Sequence, residues 1–243
     1  MMKRFFVIAL FVLGLGQLYA QPVRDTAWTK VGYFGLKLTQ VSLSSWSAGG
    51  ESALAFDSQI TYSADFKRDR QLWQNRLELG YGLTKNDGKS ARKTNDKIYF
   101  ASTYGYQIYK TLYWSALLNF NTQFAKGYDY NIEDSDFISK FMAPGYLMIG
   151  TGVTWSPNKI FTATFTPASW RGTIVADSRL SDEGAFGVDK GKHLLSEFGA
   201  NLKAEVNYEF LPNMKVYSRL ELYSNYLKDP QNIDIRWEVQ LNM

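Results

Sequence analysis

The sequence predicts an all-β protein, an up-and-down antiparallel transmembrane β-barrel with about ten strands present. Three observations predict it. Apolar and polar residues alternate with period two from Val31 onward, which sends them to opposite faces of a strand. The alternating segments are long: many reach about ten residues, whereas a soluble strand averages five or six and a tilted strand needs about 9–11 to cross a bilayer. Finally, long and short connections take turns along the chain, like the loops and turns at the two ends of a membrane barrel.

The series begins at 31–40. Ser52–Ala64 places Leu54, Phe56, Ile60 and Tyr62 on one face, against Asp57, Gln59, Thr61 and Ser63. Leu72–Leu83 sets Trp73, Leu77, Leu79 and Tyr81 against Gln74, Arg76, Glu78 and Gly80. Lys97–Tyr109 and Leu112–Phe124 repeat the pattern, as do segments near 146–155, 160–170, 195–210, 214–225 and 233–242. Long loops are expected at about 41–50, 84–96, 125–143, 172–193 and 226–232. Tight turns are expected at Lys67–Asp69, Tyr109–Thr111, Ser156–Asn158 and Leu211–Asn213.

Alternation alone does not say which face points inward. A soluble barrel buries its apolar face. Three features favour apolar-out. The strands are long. Aromatics sit near strand ends, at Trp73, Tyr81, Tyr106, Trp114, Phe124, Trp155 and Tyr208, where membrane interfaces hold them. The polar face is rich in Gly, Thr, Asn and Gln, which suit a lumen.

Composition narrows the chemistry. Of 243 residues 45% are hydrophobic and 16% aromatic, too apolar for a disordered chain. There is no cysteine and a single histidine, His193, so thiolate sites and multi-histidine metal centres are excluded. No cofactor is expected. Residues 1–20 read as a signal peptide: Lys3 and Arg4 are its basic start, Phe5–Leu15 its apolar core and Ala20 its last residue. Residues 21–30 then form a periplasmic N-terminal segment, and 31–243 the outer-membrane barrel. Without Lys3 and Arg4, 25 basic residues face 23 acidic ones, a balance that does not suit nucleic-acid binding.

An apolar exterior makes the polar face the lumen. The last three strands then carry an ion-pair network. A tight turn at Pro212 sets Glu205 across from Arg219 and Lys203 across from Glu221; a loop near residue 229 sets Arg219 across from Glu238 and Glu221 across from Arg236. Such cross-strand pairs stabilise a sheet by about 0.2–1 kcal/mol each. They can form a selective constriction or a structural network that neutralises a plugged lumen, and the second reading is preferred.

Two stretches go beyond the generic pattern. One is Gln40–Glu51, with Trp46, Gly49 and Gly50. The other runs from Thr166-Pro167-Ala168-Ser169 through Asp182–Lys192, with Gly184, Phe186 and Gly187, to Glu197-Phe198-Gly199. Together they resemble a family of secreted Bacteroidota proteins classed as a domain of unknown function and regarded as outer-membrane β-barrels. The resemblance implies a barrel and no particular activity. It also implies a further hairpin, for about twelve strands, so that the chain reads as C-terminally truncated. A ten-stranded barrel ending at the non-aromatic Met243 is the alternative.

His193 ends the longest loop near Asp189, Ser196 and Glu197, a setting a rim hydrolase would use, yet it carries no enzyme motif; a solvated rim histidine is expected. Asp129–Asp136 alternates oxygen ligands, but Asp134 and Lys140 stand where a calcium loop needs Gly and Glu. Lys85–Lys93 is basic and could meet lipopolysaccharide phosphates. The glycines of the longest loop supply backbone freedom for sharp turns, and that loop is long enough to plug the lumen.

The expected role is non-enzymatic: a small porin-like channel or structural barrel of a Gram-negative outer membrane, reached by the secretory pathway. Its expected partners are outer-membrane lipid, lipopolysaccharide, the barrel-assembly machinery and a small solute of open class. The rivals are a rim hydrolase using His193 and a surface binder using its long loops.

Overall fold

The computed structural model describes residues 27–43, 50–132, 136–158, 160–212 and 214–242. The signal peptide expected over 1–20, together with Trp46, Gly49 and Met243, lies outside the described residues.

Among the described residues ten long strands form one antiparallel sheet, each pairing with the long strands before and after it in the chain. They are β1 (Trp28–Val41), β2 (Ala53–Arg68), β3 (Gln71–Asn86), β4 (Arg92–Tyr109), β5 (Leu112–Thr122), β8 (Gly145–Trp155), β9 (Phe161–Ile174), β10 (Leu194–Leu211), β11 (Met214–Asn225) and β12 (Ile233–Asn242). The short pair β6 (Gly127–Tyr128) and β7 (Phe137–Ser139) lies within the loop between β5 and β8. All ten strands expected from the alternation are present. Several run further than expected: β3 and β4 leave only residues 87–91 between them, so most of the loop expected at 84–96 is strand.

The period-two pattern sorts the side chains across the whole sheet. Through the register, Phe34, Ile60, Leu79, Ile98 and their successors share one face from β1 to β12. Among the described residues, charged side chains on that face occur only toward strand ends, at Lys30, Arg68, Lys85, Lys93 and Asp96. Its polar side chains hydrogen-bond within the sheet. Ser58 donates to the Tyr81 carbonyl, Trp73 to Ser102, Ser102 to Asn75, Asn75 to the Ala64 carbonyl, and Trp237 to Ser218. Aromatic rings collect near the short turns: Trp28 lies 5.2 Å from Phe66 and 5.9 Å from Trp73, and Trp155 lies 5.6 Å from Phe161.

The other face is polar and concave. Arg171 on β9 reaches Asp234 on β12 at 3.2 Å, across the two intervening strands. Such a contact requires the sheet to curl around its polar face. Ser115, Thr164, Thr166, Thr173 and Asn201 are buried there.

The sheet is barrel-like but does not close. Among the described residues β1 and β12 are not paired with each other. Both are exposed: Leu38 is 71% accessible and Trp237 70%. Neighbouring strands are held in register by their hairpins, whereas closure would join the two strands furthest apart in sequence, which no turn brings together. The expected ten-stranded up-and-down antiparallel architecture is thus present, as a curled, barrel-like sheet open between β1 and β12.

One local irregularity decides which residues face inward. β9 carries one residue too many against both neighbours, between Phe165 and Ala168. Pro167 sits in this bulge, where its missing N–H costs no ladder hydrogen bond. The extra residue switches the phase, so Thr162 and Thr164 face inward before the bulge, and Ser169, Arg171 and Thr173 after it. Gly152 on β8 faces this bulge: a Cβ there would stand 2.0 Å from the Phe165 carbonyl oxygen.

Candidate functional site

The candidate site is the concave polar face together with the loops that close over one end of it. The facing strand positions are those read from the turns: Lys203 opposite Glu221, Glu205 opposite Arg219, Arg219 opposite Glu238 and Glu221 opposite Arg236. Side-chain contacts are more selective than the register. Arg219 Nη2 donates to Glu238 Oε2 at 2.6 Å. Lys203 instead reaches Glu205 along its own strand at 3.1 Å, and Tyr217 donates its hydroxyl to Glu205 at 2.8 Å. Glu221 accepts from the Asn201 amide at 3.1 Å. Arg236 forms no ion pair among the described residues.

A second cluster centres on Arg171. Its guanidinium meets Glu197 in a two-pronged contact of 2.7 and 3.0 Å and also binds Asp234. Asn225 donates to the same Glu197 at 3.0 Å. The Arg171 guanidinium lies 4.0 Å from the centre of the Tyr223 ring. Sequence reasoning missed Arg171 because simple alternation does not anticipate the bulge at Pro167. A third cluster joins Arg76, Glu78 and Lys97 on β3 and β4, both contacts at 2.5 Å.

Between these groups lies a cavity of about 610 Å³, reached by residues of β4, β5 and β8 through β12. Phe186 and Leu195 close its loop-side end. A wider, apolar groove of about 1050 Å³ crosses the convex face near Pro167, Trp170 and Phe198.

The loop over the cavity is a small folded cap. Asp177 starts a six-residue helix, α1 (Ser178–Glu183), by accepting the Leu180 N–H on its side chain at 3.0 Å. Gly184 ends it at φ 74°, the left-handed conformation that glycine adopts without strain. Gly50, Gly187 and Gly191 also have positive φ, as does Phe186 at 58°. The cap contains a buried apolar cluster of Ala143, Val175, Leu180 and Val188, with Phe137, Phe186 and Leu195 packed against it. It ties two loops together: Lys140 pairs with Asp177 at 2.5 Å, and Arg179 donates to the Phe137 carbonyl and stands over its ring. The Lys140 ammonium, and next the Leu180 N–H, hold the Asp177 carboxyl below its ordinary range. The loop read as long enough to plug a lumen is thus a folded cap, with Phe186 against the cavity on the concave face.

The remaining candidates resolve locally. The His193 ring meets the Val175 carbonyl through Nδ1 at 2.7 Å, and the His193 carbonyl accepts the Val175 N–H at 2.9 Å. The histidine thus ties the base of the cap together. In the basic loop, Lys89 pairs with Glu51 at 2.8 Å, Lys93 with Asp96 at 2.6 Å, and Arg92 stacks on Tyr130. In the acidic loop Asn131 donates to Asp129, while residues 133–135 lie outside the described residues.

Comparison with known proteins adds one finding. Residues 38–128 match the model of a family described as a protein of unknown function (DUF3078). The match covers less than half of the chain, from the end of β1 through β5 to Tyr128. It supports a domain of unknown function and carries no activity. No curated protein and no solved structure matches the chain.

Proposed function

We propose that the chain is an outer-membrane β-barrel protein of the Bacteroidota type, working as a small non-enzymatic channel or structural barrel whose charged lumen is partly closed by its own cap. One observation carries the reading. The convex face presents an apolar band over all ten strands that is free of charged residues except toward strand ends, while the charged residues meet on the concave side. A hydrocarbon surrounding tolerates this arrangement, because it demands satisfied backbone groups and few exposed charges. In water the same surface would be a very large exposed apolar patch. The short-turn aromatics fit an interfacial girdle, and the hydrogen-bonded Ser58, Asn75 and Ser102 fit a lipid-facing wall. The lumen holds both signs of charge in similar number, many of them paired, so strong preference for anions or cations is not expected.

The test is single-channel conductance of the refolded full chain in a planar bilayer, with and without residues 178–190. The expected result is small or absent steps for the intact protein and larger discrete steps after deletion. Identical conductance in both would remove the lid from the account. A protein extracted from cell membranes by carbonate would defeat the membrane placement.

A further inference from the structure

We propose that the lumenal cavity is a binding site for a neutral, polyhydroxylated small solute of mono- or disaccharide size. This rests on the reading of the concave face as a lumen and names what that lumen recognises. The cavity's volume of about 610 Å³ falls within the roughly 300–1,000 Å³ of small-molecule sites. Its charged groups are largely committed to one another. Arg171 is held by Glu197 and Asp234, Arg219 by Glu238, and Glu221 accepts from Asn201. The lining carries three arginines, Arg171, Arg219 and Arg236, against the three acids Glu197, Glu221 and Asp234. With three charges of each sign around it, the cavity has no net charge to favour an ion of either sign, although Arg236 forms no ion pair among the described residues.

The uncommitted groups are of another kind. Tyr223 is 5% accessible, and its hydroxyl is buried without a hydrogen-bond partner, as is Arg219 Nε. Both residues line the cavity, as do Tyr99, Tyr146, Asn119 and Asn121, whose side-chain polar groups make no hydrogen bond among the described residues. A buried, unpartnered polar group costs stability unless something satisfies it. Phenol and amide groups each donate and accept, which is the pattern sugar hydroxyls offer in return. Phe186 of the cap supplies an apolar wall at the mouth.

The experiment is isothermal titration calorimetry on the full chain refolded in detergent micelles, with maltose, glucose and myo-inositol as neutral probes and inorganic phosphate as the charged one. At least one neutral probe is expected to bind saturably at millimolar concentration, with phosphate weaker. Tyr223→Phe removes only an unpartnered hydroxyl, so folding should be intact while affinity falls about tenfold. Asn121→Ala should weaken binding independently. The proposal is overturned if no neutral probe binds, if phosphate binds more tightly, or if both variants bind like the parent protein. Vesicle flotation of the same preparation separates the two readings. A protein that floats but binds no sugar loses only this proposal; one that does not float loses the membrane reading, whatever it binds.

Discussion

Arginine at the middle of the apolar band tests the membrane placement by magnitude. Ile60 sits midway along β2, with Phe34 and Leu79 beside it on the same face, and it is 41% accessible. Leu54 lies on the same face near the loop end of that strand. Six residues at about 3.3 Å each separate them by about 20 Å along the strand. A strand tilt of roughly 40° turns this into about 15 Å of depth, half of a core about 30 Å thick. In lipid, Ile60→Arg should cost about 2–4 kcal/mol and Leu54→Arg about 0–1 kcal/mol. In water, both are surface substitutions expected within about 0.5 kcal/mol of the parent. The assay is guanidinium unfolding of protein refolded into phospholipid vesicles, followed by tryptophan fluorescence, with the denaturant slope checked for constancy. Equal costs at the two depths, or two costs below about 0.5 kcal/mol, would refute the argument.

Further outcomes follow from the cap and the bulge. The Asp177 carboxyl is held below its ordinary range by Lys140 and the Leu180 N–H. Its contribution is therefore present above pH of about 4 and is lost as pH falls through the folded value. Amide exchange in residues 178–183 should accelerate in that acid range, whereas Asp177→Asn, which retains a capping oxygen, should not show the step. Asp177→Ala should loosen the cap at neutral pH by about 1 kcal/mol, read as faster exchange at Leu180. Gly152→Ala places a Cβ 2.0 Å from the Phe165 carbonyl; since backbone must move, refolding yield should fall sharply, while Gly88→Ala, with nothing near its Cβ, should cost only its left-handed strain of about 1–2 kcal/mol.

Local pattern made most of the fold legible. Period two marked every long strand and separated Ile60, Leu79 and Ile98 from Asp57, Glu78 and Lys97. The tight turn at Pro212 and the loop near residue 229 were enough to set Arg219 between Glu205 and Glu238. Other features were not legible. Arg171 came to the concave face through a single extra residue near Pro167, and a bulge has no alternation of its own to betray it. Tyr99 and Tyr223 were two members of ordinary alternating strands until curling brought β4 and β11 to the same cavity.

The sequence by itself determined the strands, their order and which side chains share a face, because hairpin pairing and pleating act between residues close along the chain. Tertiary structure alone decided the curl of the sheet, the gap between β1 and β12, the lid that joins Lys140 to Asp177 and the unpartnered hydroxyl of Tyr223. Each of these depends on groups tens of residues apart, whose meeting is settled by packing and charge pairing across the folded sheet rather than by any local pattern.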